Sequence, residues 1–589
     1  MKMKRFIFII SSIITIFILS SSCSDALNFQ NDGRISMEDV FKDRNKIQGF
    51  LNSCYDFDVR PPIVRASYSD EAEDSDVNNP NSNFSGWYDG AATSLTFGSY
   101  AFDNPWGRLY QGIRKCNIFL AKLPTANAYG IEDYIEGWDA QARILRAFYY
   151  LQLITRYGGV PLITEPLESD HDYSSDRRAS FSEVVQFIID ECDLALEAPA
   201  RESGLSWDVY DNQYGIITRA VAYAIKSRAV TYAASSLWSD GTFTWEDATE
   251  INRESLYQCL SNDYQLFDVE PAASIAQNAY ANYFINRSTD RRSIDKETIY
   301  RGSQMRIWAV AGLPSTAGME KAGPSPSQEL IDSYEMSNGM APILGYQDEN
   351  HLDPIINTAS GYDPGNPYID RDPRFYASIY YNGAIRNLDS PNGVKVETFV
   401  GGNEGISTTD RRFTKTGYYV RKYNNFRSGI NNEADGENRV FRLAELYLNF
   451  AESAYISHGP DVQVVLGPSI SMSARDAVNK VRERAEMPPI SAGLSVQDFE
   501  NRYRNERRIE FAFEGHRFFD VRRWEILDET DNFITGMRIT QQGSNLNYSR
   551  FKLSDRKVSS DKFLMYPIPE SEVIKMLELT GQNWQNPGW

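Results

Sequence analysis

Cysteine and histidine are scarce in this chain, and their scarcity excludes whole classes of site. Only five cysteines occur in 589 residues, and no two stand as Cys-x-x-Cys. Zinc knuckles and thioredoxin-like redox motifs therefore have no basis. Of the four histidines, His171, His351 and His458 are isolated in loops or at a helix end. The chain has no Gly-x-Ser-x-Gly elbow, no His-Glu-x-x-His, no P-loop and no EF-hand spacing. Positive charge is also in deficit, with 60 Lys and Arg against 80 Asp and Glu, a net charge of -20. Without a basic stripe, a nucleic-acid partner is excluded, and so is electrostatic adhesion to an anionic membrane. Beyond the first residues, no hydrophobic run approaches membrane-spanning length.

What is present begins with an export signal. Lys2, Lys4 and Arg5 precede an apolar run from Phe6 to Leu19, which is too short to span a bilayer and reads as a signal peptide over residues 1–22. The run ends at Ser20-Ser21-Ser22-Cys23, which resembles a lipoprotein processing site with Cys23 as the lipidated residue. Ser20 occupies the position where the strict pattern has an aliphatic residue, with Leu19 one step further away. The alternative is ordinary cleavage after a small residue, leaving a soluble secreted protein. Ser24-Asp25 resembles the acidic tag that directs such lipoproteins to the outer face of the cell. Cys54, Cys116, Cys192 and Cys259 remain; Cys116 and Cys192 fall in helical patterns as buried thiols, and one disulfide stays open without an assignment.

The helical period is clear in several segments. In Arg442–Ser457 apolar residues fall at Leu443, Leu446, Tyr447, Phe450, Ala451 and Ala454, and Gly459-Pro460 ends the helix. Asp139–Tyr157 has the same character and stops at Gly158-Gly159. Thr218 can cap a third helix rich in alanine, and Ser473–Glu486 is a fourth. Such pairs suggest tetratricopeptide-like hairpins, although no strict repeat is readable. Long connections rich in Gly, Pro, Asn, Asp and aromatics, notably 56–106, 301–325 and 339–372, read as functional loops.

Short strings along the chain carry a family resemblance. They include Trp106-Gly-Arg-Leu-Tyr110, Ala142-Arg143-Ile-Leu-Arg146-Ala-Phe-Tyr-Tyr150 with Arg156-Tyr-Gly-Gly-Val-Pro-Leu162, and Pro326-Ser-Gln-Glu-Leu-Ile-Asp332. Further on come Asp372-Pro-Arg374, Arg442-Leu-Ala-Glu445, Asn505-Glu-Arg507, Phe513-Glu-Gly-His-Arg517, and the closing Gln585-Asn-Pro-Gly-Trp589. In this order they resemble the SusD/RagB family of nutrient-binding lipoproteins. The resemblance implies an all-α fold of tetratricopeptide-like helical hairpins in a right-handed superhelix, with an elaborated, loop-rich C-terminal subdomain. It divides the mature chain into an N-terminal region, 23–295, and a C-terminal region, 296–589. It further implies a surface-exposed outer-membrane lipoprotein that takes up oligosaccharide or polysaccharide, works with a SusC-like TonB-dependent porin, and needs no cofactor. A peptide-binding member of the family and a secreted glycoside hydrolase are the alternatives.

The densest charged cluster, Arg504–Trp524, tests the hydrolase reading. Glu506 and Glu510 lie one helical turn apart and could form a carboxylate pair; Glu514, His516 and Asp520 could bind a metal. Seven interleaved arginines, counting Arg502 just before the cluster, argue instead for charge-paired packing, because guanidinium neighbours keep carboxylates ionised. The acidic run Asp70–Asp76 reads as a solvated loop, with calcium binding the alternative. A sugar binder needs exposed aromatic faces and flanking polar groups on loops. Trp87 and Trp308 are the expected stacking platform, with Tyr88, Asn83 and Arg306 beside them, and Trp207, Tyr210, Trp238 and Trp245 in reserve.

Overall fold

The computed structural model describes residues 36–55, 62–77, 83–97, 104–208, 215–271, 278–285, 294–304, 312–313, 321–386, 393–424 and 437–589. The signal segment 1–22, Cys23, Tyr210, Arg306 and Trp308 lie outside the described residues, as does the side chain of Asn83.

The longer helices are α1 (Arg44–Cys54), α2 (Trp106–Lys122), α3 (Ile135–Tyr157), α4 (Phe181–Leu196), α5 (Arg219–Ala234) and α6 (Trp245–Ser261). After a long interval come α7 (Leu443–His458), α8 (Ala474–Arg484), α9 (Val496–Glu510), α10 (His516–Arg523) and α11 (Glu570–Thr580). From α2 to α8 each helix packs extensively on the next, so the chain is all-α and built of tetratricopeptide-like hairpins. Residues 262–442 intervene between α6 and α7, yet α7 lies against α6 as though it followed directly. This insertion hides the repeat from the sequence.

Local chemistry fixes the helix ends. Ser180, Thr244 and Ser473 each close a capping box, with Glu183, Asp247 and Asp476 respectively. At the other end α3 stops at Gly158, φ +71°, and α7 at Gly459, φ +97°, a region L side chains rarely adopt. Thr218 stands at the N-cap of α5 with extended backbone, but its hydroxyl makes no capping hydrogen bond, so the expected cap is positional only. Helix α5 is buried on almost every side; its alanines leave room for the helices around it. A polar knot ties the inner helices together. The Asn252 amide on α6 donates to Thr231 Oγ1 (3.0 Å) on α5 and to the Asn449 carbonyl and Ser453 Oγ (3.1 Å each) on α7.

Short antiparallel strand pairs decorate this scaffold. β1 (Thr298–Gln304) pairs with β2 (Glu437–Arg442), which leads directly into α7. β3 (Phe533–Gln542) and β4 (Asn545–Asp555) form the longest hairpin. Cys54, Cys116, Cys192 and Cys259 are all buried free thiols.

Candidate functional site

The charged cluster on α9 and α10 is a buried ion-pair network. Glu506 accepts from Arg374 Nη1 at 2.5 Å and Arg482 Nη1 at 2.7 Å. Glu510 accepts from Arg442 Nη1 at 2.7 Å, from Arg374 Nη1 at 3.1 Å and from Arg484. Asp520 is held by Arg507 and Arg523 at 2.8 Å each. Burial pushes the Glu510 carboxyl up, but Arg484, Arg442 and Arg374 outweigh it and hold it well below the usual carboxylate range. The same opposition leaves Glu506, Glu514 and Asp520 lowered. Carboxylates held ionised in this way cannot donate a proton near neutral pH. Burial and then the surrounding arginines, Arg228 first, keep His516 neutral. The candidate metal ligands Glu514 and Asp520 are both taken up by cations, and no group of three metal-ligating side chains stands together among the described residues.

The acidic run is not a solvated loop, and that expectation is corrected. Ala72–Asp74 is a strand paired with Pro324–Pro326, and Asp70, Glu71, Glu73 and Asp74 are all buried. Asp70 pairs with Arg508 (2.9 Å) and Arg517 (2.8 Å), and Glu73 with Arg556 (3.0 Å). Asp70 and Glu73 are thus paired by arginines far away in sequence and Asp74 by Lys321 (3.6 Å), whereas Glu71 makes no ion pair with a described residue. Local charge density could not reveal this.

The expected platform is also corrected at Trp87 and Tyr88. Both lie on the short helix Asn83–Tyr88 and are only 2% and 3% exposed. Trp87 sits among Tyr68, Phe97 and Phe563, with ring centroids 5.2, 6.0 and 5.1 Å away. The Tyr88 hydroxyl donates to the Ser67 carbonyl at 2.6 Å, and Arg556 stacks 4.2 Å from its ring. Neither ring has an open face for a sugar. The signal was present: Phe84, Trp87 and Tyr88 stand at i, i+3 and i+4, the spacing of a buried helical stripe. Among the reserves, Trp238 stacks on Phe181 at 4.4 Å and Trp207 on Tyr223 at 5.7 Å.

A cleft of about 490 Å³ opens where α2, the segment after α3 and α11 meet. One face of α2 supplies Trp106, Tyr110, Ile113 and Asn117, at i, i+4, i+7 and i+11. The opposite wall is the extended segment from Pro161 to Leu167, clamped in place. Tyr110 donates to the Pro161 carbonyl (2.9 Å), Asn117 to those of Ile163 and Glu165 (3.0 and 3.1 Å), and Arg114 to that of Leu167 (2.9 Å). Arg146, itself paired with Glu191 at 2.6 Å, donates to the Thr164 carbonyl at 2.8 Å. The rim comes from Tyr173, from Glu572, Lys575 and Met576 on α11, and from Trp584.

The last residues of the chain hold that rim. Arg178 donates to the Trp584 carbonyl at 2.6 Å and to Asn586 Oδ1 at 2.7 Å. The Asn586 amide in turn donates to the carbonyls of Tyr157 (2.9 Å) and Tyr566 (2.7 Å). The closing Gln-Asn-Pro-Gly-Trp string is thus a clasp joining the end of α3 to the C-terminus.

A family model described as the SusD family matches residues 275–589, more than half of the chain. The protein belongs to the SusD family. A second model, described as starch-binding associating with outer membrane, matches residues 27–230. Among curated relatives of this SusD-family protein, SusD-like protein P25 of Formosa agariphila is 24% identical over 514 residues, 82% of this chain and 80% of that one. A solved SusD-like protein from Bacteroides fragilis superposes with a TM-score of 0.74 at 22% identity, covering 94% of this chain and 99% of its own. A laminarin-binding SusD-like protein superposes with a TM-score of 0.54 at 20% identity, covering 93% of this chain and 100% of its own. At such identities the likeness concerns the SusD fold, and the ligand has to be argued from this chain's own residues.

Proposed function

We propose that this protein is a non-enzymatic, surface-exposed lipoprotein of the outer membrane, which captures oligosaccharides and delivers them to a SusC-like TonB-dependent porin. Membership of the SusD family carries the reading. The laminarin-binding relative supports a glycan ligand, and the starch-binding, outer-membrane description of the second matching model supports both ligand class and location. The signal segment and Cys23 supply the anchor in this reading, and the loop bearing Arg306 and Trp308 remains the proposed ligand face. The buried ion-pair network supports a binder over a hydrolase, because its carboxylates have no proton to give.

The test is a polysaccharide and peptide panel with the purified mature protein, scored for binding and for cleavage, beside co-purification of the tagged protein from its native membrane. Glycan binding without cleavage, together with a co-purifying porin, is the expected outcome. Cleavage of a bound glycan, or binding to peptides alone, contradicts it.

A further inference from the structure

The cleft between α2 and α11 has the chemistry of a carbohydrate site, although the family strings on its walls are explained by the clamps that build it. We propose that it is a binding site for neutral oligosaccharides, separate from the loop that carries Trp308; the proposal rests on the glycan-binding reading above.

Three features of the cleft carry this. First, its aromatic rings are arranged as walls. Trp106 and Tyr110 stand 5.1 Å apart between ring centroids, and Trp106 is braced edge-on by Tyr157 at 5.0 Å. Across the cleft, Tyr173 carries Lys575 over one face at 3.4 Å and remains partly exposed. Trp106 is buried and backs the wall, so the rings that a pyranose C–H face can reach are the partly exposed Tyr110 and Tyr173. Second, polar groups converge on the same space without partners. Glu165, Glu168 and Glu572 line it and form no ion pair with any described residue, and each can accept from sugar hydroxyls. The indole N–H of Trp584, a residue 4% exposed, lies buried in the wall without an acceptor among the described residues. Third, the cleft's volume of about 490 Å³ falls inside the range of about 300–1,000 Å³ typical of ligand sites. The clamped segment Pro161–Leu167 and the Asn586 clasp hold the walls before any ligand arrives, which lowers the ordering cost of binding.

Charge selects the ligand class. Three unpaired carboxylates face two cations, Arg114 and Lys575, in a chain of net charge -20. A uronate or sulfated sugar would meet repulsion at close range, whereas a neutral sugar offers donors to every carboxylate.

The experiment is calorimetric titration of the full mature protein with maltohexaose, laminarihexaose and mannohexaose as neutral probes and tri-galacturonate as the acidic one. Wild type, Tyr173→Ala, Glu572→Gln and Trp308→Ala are compared, each checked by thermal melting. Tyr173 and Glu572 stand at the rim, so unchanged melting temperatures are expected. For at least one neutral probe, Tyr173→Ala and Glu572→Gln should each weaken one class of sites about tenfold or more, while Trp308→Ala leaves that class intact. Rim variants that bind as wild type while Trp308→Ala abolishes binding overturn the second site and leave the proposed function standing. Preference for tri-galacturonate overturns the charge argument. Absence of binding to every glycan overturns the functional reading together with the site. Normal glycan binding by Tyr173→Ala with loss of the co-purifying porin would reassign the cleft to a protein partner and overturn the proposal.

Discussion

Arg442 and Glu514 face each other through two parallel hydrogen bonds of 2.8 Å, one from Nε and one from Nη2, across 72 residues of sequence. The same guanidinium also reaches Glu297 at 2.8 Å and Glu510 at 2.7 Å. One arginine at the end of β2 thereby gathers carboxylates from the long insertion, from α9 and from the turn after it. This is why carboxylates that look catalytic in sequence are structural in the fold.

Removing one member of this network should be costly. Glu510→Gln leaves Arg442, Arg484 and Arg374 short of a counter-charge inside the core. Breaking a buried pair from one side costs about 3–5 kcal/mol, and Glu514→Gln should behave alike. Chemical denaturation measures the loss. A variant as stable as wild type would show that the pairs do not hold the core, and no hydrolytic activity should be lost in either.

A pH signature is expected at Glu71. Burial and then the adjacent Asp70 charge push its carboxyl up to about 8, from an ordinary value of 4.5. Between those values the folded state keeps a proton that the unfolded state has released. The stability contributed by this group is therefore fully present below pH 4.5 and is lost as pH rises through about 8. Glu71→Gln should remove that decline, gaining melting temperature relative to wild type at high pH and less at low pH. Parallel melting curves for the two proteins across this range would mean that Glu71 is ionised in the fold. The lowered carboxylates Glu506, Glu510 and Glu514 act in the opposite direction, and their contribution is lost as pH falls below the ordinary glutamate range.

Trp87 and Trp308 should separate core from ligand face. Trp87→Ala opens a cavity among Tyr68, Phe97 and Phe563 and should cost about 3–5 kcal/mol of stability, with glycan affinity unchanged once the protein is folded. Trp308→Ala should leave the melting temperature unchanged and lower affinity at the loop face at least tenfold, about 1.4 kcal/mol or more. Reversal of these two phenotypes would contradict the assignment of both residues.

The anchor is tested at Cys23. Cys23→Ala should abolish fatty-acid labelling and release the protein from the outer membrane. A variant that keeps both label and membrane would remove the lipoprotein reading without touching the fold.

By itself the sequence determined the helical class, where α3 and α7 stop, and the family. These rest on local rules: the period of Leu443–Ala454, the glycines at 158 and 459, and the ordered strings from Trp106 to Trp589. Interleaved arginines around Glu510 also foretold charge-paired packing, but not the pairing itself. Glu510 is held by Arg374, Arg442 and Arg484 from other segments, while the neighbouring Arg508 and Arg517 go to Asp70 and Arg523 to Glu452. Which charges and rings are buried was decided only by the tertiary structure. Asp70 reads as solvated until Arg517 arrives at 2.8 Å across 447 residues, and Trp87 reads as exposed until Phe563 closes over it. The cleft depends on the same kind of distance, since Tyr110, Tyr173 and Trp584 share no local pattern. Burial and desolvation depend on which segments meet, and the insertion of residues 262–442 between two stacked helices puts those meetings beyond any local periodicity.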